Sequence, residues 1–75
     1  MNLTQTKPDD TGIVAAINGD TKFTNRITAI GITNGTRFQT VKNDKRMPVL
    51  IYVRETLIAL NRKDAEHLEV EVDKK

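Results

Sequence analysis

No apolar stretch in this chain runs far before a turn signal stops it. The longest lies around Val49 to Val53, and it is bounded by Pro48 on one side and Arg54-Glu55 on the other. Asn18-Gly19-Asp20 and Ile32-Thr33-Asn34-Gly35 are further turns, because Asn and Gly tolerate the left-handed backbone that tight turns need. Segments this short are strands rather than long helices. With 75 residues there is room for one domain, 1–75, with a core one layer deep.

The chain is expected to hold about five strands. Thr11 to Asn18 alternates, with Ile13, Ala15 and Ile17 on one face and Val14 and Ala16 on the other, so both faces are expected to be covered. Asp20 or Thr21 is the expected N-cap of a short helix. Phe23, Ile27 and Ile30 then form one apolar stripe, and Gly31 ends the helix. Thr36 to Lys42 is a strand with Phe38 and Val41, followed by a charged loop, Asn43 to Pro48. Val49 to Arg54 is the most strand-like piece, with Val49, Ile51 and Val53 sharing a face. A tight turn at Glu55-Thr56 leads to a strand Leu57 to Leu60, and Asn61 to His67 forms one helical turn. Leu68, Val70 and Val72 alternate with Glu69, Glu71 and Asp73, a half-buried strand with an acidic outer face. Met1 to Asp10 is expected to be irregular or an edge strand anchored by Leu3, and Lys74-Lys75 to be frayed. Short strands with frequent turns predict an all-β domain, a closed or nearly closed antiparallel barrel with one inserted helix.

Several chemistries find no support. With no cysteine there is neither a disulfide nor a thiolate metal site. Nothing approaches the ~20 apolar residues of a membrane span. MNLTQTKPDD has no apolar core of a signal peptide, so a soluble, cytoplasmic protein is expected. The net charge of +2 reflects a small surplus of Lys and Arg rather than a dense basic stripe with stacking aromatics, which argues against a nucleic-acid binder. His67 is the one histidine; with Asp64 at i−3 it could form half a metal site, but an iron(II) site needs several N and O ligands. An exposed side chain is the expected role of His67. Glu69 and Glu71 share an exposed face and make poor general acids. No Ser/His/Asp constellation, P-loop or dinucleotide fingerprint is present, so no catalytic residue is assigned. The basic loop of Lys42, Lys45 and Arg46 is either a plain solvated loop or an electrostatic contact for an acidic partner.

The stretch NRITAIGITNGTRF, residues 25–38, resembles the ferrous iron transport protein A (FeoA) family. A basic residue, two aliphatics three apart, Gly, an aliphatic, two variable residues and Gly are matched by Arg26, Ile27, Ile30, Gly31, Ile32 and Gly35. Residues 48–70 are similar to the family's block of strand, turn, strand, short helix and final strand, with Pro48, Leu60, Ala65, Leu68 and Val70 in the expected places. Many members have Gly where Asp9 follows Pro8. The resemblance implies an SH3-like barrel of about five strands and a small cytosolic, non-enzymatic accessory of ferrous iron uptake. Its implied partner is the permease FeoB, at the cytoplasmic GTP-binding region. Arg26 on the helix face and Lys42, Lys45 and Arg46 in the loop are the expected partner-binding residues. No cofactor is expected, since the ligands for ferrous iron are too few. The alternative is a stand-alone peptide- or metal-binding module resembling the C-terminal domain of metal-dependent repressors.

Overall fold

The computed structural model describes residues 1–73, so the fraying expected at Lys74 and Lys75 lies outside the described residues. Five strands form one antiparallel sheet: β1 (Thr11–Ile17), β2 (Arg37–Lys42), β3 (Val49–Val53), β4 (Thr56–Leu60) and β5 (Leu68–Val72). Helix α1 (Thr21–Ala29) lies between β1 and β2, and the four-residue α2 (Arg62–Ala65) between β4 and β5. The strand order is β4-β3-β2-β1-β5. All five strands feed one core, whose buried members include Val14, Phe38, Val49, Ile51, Leu60, Leu68 and Val70, with Phe23, Ile27 and Ile32 from the α1 region. The expected barrel is not closed. β4 and β5 are the two edges of the sheet and do not pair with each other.

Three local expectations are corrected. The N-terminal segment is irregular over most of its length, with one strand-like bridge from Asn2 to Glu69, but it holds an unexpected element. Leu3–Gln5 is a 3-10 turn closed by a capping box, in which Asn2 and Gln5 satisfy each other's backbone N–H groups, and Leu3 is buried as expected. In β1 the two faces are not both covered from end to end. Val14 pairs with Val70 but Ala16 pairs with Glu69, so Ala15 is an extra residue, a β-bulge. Gly12 and Val14 face the core before the bulge, whereas Ile17, beside Leu68, packs on it afterwards.

The α1 stripe is corrected at its end. Asp20 is the N-cap, its carboxylate accepting from the Phe23 N–H at 2.8 Å. Phe23 and Ile27 are buried, but Ile30 is 44% exposed. The helix stops at Ala29, and Gly31 turns the chain with φ +101°. The Ile32 N–H then donates to the Ile27 carbonyl and the Gly31 N–H to that of Thr28, a Schellman closure. Ile32 is thereby carried over Ile27 and takes the buried place that helical spacing assigned to Ile30.

Candidate partner-binding surface

α2 organises the surface although it is a single turn. Asn61 caps it, its Oδ1 accepting from the Asp64 N–H at 2.7 Å. Ala65 is buried and pins the turn to the core, so Arg62, Lys63, Asp64 and His67 project around a fixed point. Asp64 reaches α1: one Arg26 nitrogen donates to both of its carboxylate oxygens, at 3.0 and 3.1 Å. The same guanidinium lies 5.4 Å from the centre of the Phe23 ring. His67 meets that ring edge-on, with centroids 5.5 Å apart. Gly19, Asp20, Phe23, Lys63, Asp64 and His67 line a cleft of about 310 Å³ between the two helices. Arg26 is more than half exposed, so the ion pair contributes on the order of 0–1 kcal/mol; its main effect is to fix the cleft wall.

On its other side α2 holds the basic loop. Arg62 donates to Asn43 Oδ1 at 2.7 Å, to the Asp44 carbonyl at 2.8 Å and to the Met47 carbonyl at 3.3 Å. Asn43 in turn donates to the carbonyls of Thr4 and Thr6. The charged loop is tied at both ends to the body of the protein, while its charged side chains stay solvated. Lys42 pairs with Asp44 at 3.5 Å, and Lys45 and Arg46 stand exposed beside them. Arg62 has no acidic partner among the described residues, so four cations meet one carboxylate here.

The expected residues thus fall on two neighbouring surfaces. Arg26 borders the α1–α2 cleft through its pair with Asp64, and Lys42, Lys45 and Arg46 belong to the loop, with α2 bracing both. Asp64 and His67 share the cleft, but Asp64 is engaged by Arg26 and Asn61. No group of three or more His, Asp or Glu side chains that could hold a metal occurs among the described residues. Arg62 and Asn43 escaped the sequence reading. They are 19 residues apart, and no short-range pattern marks such a pair.

A third feature lies on the outer face of the β3–β4 hairpin. Leu50 stands opposite Ala59 and Tyr52 opposite Leu57, all four on the side away from the core. Lys42, Met47, Pro48, Leu50 and Ala59 line an apolar groove of about 200 Å³ at one end of it. At the far acidic edge, Asp73 accepts from Thr11 Oγ1 at 2.8 Å and from Arg37 at 2.6 Å. The Thr11 hydroxyl, then Arg37, hold its carboxyl below the ordinary aspartate value.

A family model described as the FeoA domain matches residues 1–72. A crystal structure described as the iron uptake regulatory protein FeoA superposes with a TM-score of 0.91 at 25% identity, covering 96% of each chain. The zinc complex of FeoA from Stenotrophomonas maltophilia, described as a prokaryotic SH3 domain protein, gives 0.80 at 20% identity over 95% of this chain and 89% of that one. A manganese-dependent transcriptional repressor gives 0.88 at 20% identity, covering 96% of this chain but 36% of its own. No sequence among the curated proteins matches the chain. The curled five-stranded sheet with its inserted helix is the SH3-like fold of these structures.

Proposed function

The chain belongs to the FeoA family, and on that premise we propose that it is a small accessory protein of ferrous iron uptake that docks on the cytoplasmic GTP-binding region of a FeoB-type permease. The observation that carries this reading is the family match over residues 1–72. The surface supports an adaptor rather than an enzyme: its charged groups are braced against one another and display cations, as a docking patch for acidic protein does. Arg26, Lys42, Lys45 and Arg46 would make the contact, and the outcome would be regulation or assembly of the permease. In this reading the protein works in the cytoplasm. No helix among the described residues is long and apolar enough to cross a membrane.

The likeness to the manganese-dependent repressor favours a second reading, a stand-alone module that binds a peptide or a metal. Deleting the chain from its host separates the two. The accessory role predicts a loss of ferrous iron uptake that the intact chain restores and a Lys45→Glu/Arg46→Glu variant restores poorly. Unchanged uptake after deletion contradicts it.

A further inference from the structure

The two edges of the sheet are not alike. Along β5, the free side is partly occupied: Asn2 bridges to Glu69, the Val70 N–H donates to the Met1 carbonyl at 2.8 Å, and the Met1 ammonium pairs with Glu69. β4 has no neighbour beyond it among the described residues. Its sequence, TLIAL, contains no charge and no proline, and its pairing with β3 runs over five consecutive pairs without a shift. Sheet edges are ordinarily guarded by a lysine, a proline or a bulge, and this one has none of the three.

We propose that β4 is a self-association edge, pairing antiparallel with β4 of a second copy about a two-fold axis at Ile58. Register and side-chain direction both lead there. A two-residue hairpin closes on a hydrogen-bonded pair, here Val53 and Thr56, and such pairs alternate. The N–H and C=O groups of Thr56, Ile58 and Leu60 are therefore spent on β3, and those of Leu57 and Ala59 point outward. Full overlap of two copies sets Leu57 against Ala59 of the other copy, and Ala59 against its Leu57, giving four new backbone hydrogen bonds.

That register is also self-complementary in shape. Leu57 is 58% exposed, the largest value among the exposed large hydrophobic residues. Ala59 is small and borders the groove with Leu50, Met47 and Pro48. Leu57 of each copy lands beside the groove of the other, an isologous contact in which one residue pair is used twice. Because β4 is uncharged, no like charges face each other across the axis. Glu55 falls opposite Asn61, next to Arg62 and Lys63 of the second copy, an attractive arrangement. Because the two-fold contact uses the β4 edge of both copies and β5 is partly occupied at its own edge, the pairing closes at a dimer. The occupant is a second copy rather than a foreign acidic strand because both knob and groove lie on this one chain.

Sedimentation velocity of the full chain over a wide concentration range, with NMR on a mixture of labelled and unlabelled protein, tests this. The expected result is a monomer–dimer equilibrium with intermolecular contacts from Leu57 to Ala59 and Leu50. Leu57→Lys and Leu57→Ala sit on the exposed face and leave the fold intact. They should weaken association, Leu57→Lys by on the order of 100-fold, since one lost apolar contact counts twice. A protein that stays monomeric at the highest NMR concentrations overturns the proposal. So does a dimer that ignores both variants, or a β4 edge that responds to the permease domain and never to itself.

Discussion

At the residue scale, the backbone carries costs that its side chains do not relieve. Arg54 and Glu55 form the β3–β4 turn with φ +49° and +67°, values that suit Gly or Asn. Replacing Glu55 by Gly should raise stability by about 1 kcal/mol, read as a higher midpoint in thermal or denaturant unfolding. The turn itself was legible in the sequence, but one residue late, at Glu55-Thr56, because neither Arg nor Glu announces a left-handed conformation. Asp9 adopts φ +73°, a left-handed conformation that suits Gly, at the position where the family resemblance places Gly. Asp73 offers a pH test. Its folded-state pKa lies below its unfolded one, held there first by Thr11 and then by Arg37, so its stabilising effect is complete above the ordinary aspartate range and fades as pH falls through the depressed value. Carbon-detected NMR should show Asp73 titrating below a free aspartate, and Thr11→Val should move it upward.

At the scale of elements, period decided what could be read. β3 and β5 alternate without interruption, and Val49, Ile51, Val53, Leu68 and Val70 are buried as their spacing predicts. β2 shows the limit: with Phe38 facing inward, Thr40 holds the next core position and Val41 points out. The β1 bulge at Ala15 leaves no mark in the sequence, since it is fixed by the pairing with β5. Gly12 shows how close that pairing is. A Cβ there would overlap the Glu71 carbonyl oxygen, a clash that no side-chain turn relieves because it is with backbone. Gly12→Ala should therefore destabilise the fold by more than about 2 kcal/mol, and amide exchange should rise first along β1 and β5. A loss under about 0.5 kcal/mol contradicts the tight β1–β5 contact.

At the scale of the whole molecule, charge is divided. Lys42, Lys45, Arg46 and Arg62 gather around the β2–β3 loop, while Glu69, Glu71 and Asp73 lie along the β5 edge of the sheet. The composition displayed both clusters, but the bracing by α2 was invisible, since it depends on contacts such as Arg26–Asp64 and Arg62–Asn43 between distant segments. The most direct test of the accessory role is an NMR titration of the labelled protein with the soluble cytoplasmic domain of the permease, with and without guanine nucleotide. Saturable shifts confined to the α1–α2 cleft around Arg26 and to the 42–46 loop, abolished by Lys45→Glu/Arg46→Glu, are the expected result. No shifts at saturating concentration, or shifts confined to the acidic β5 edge, would contradict it.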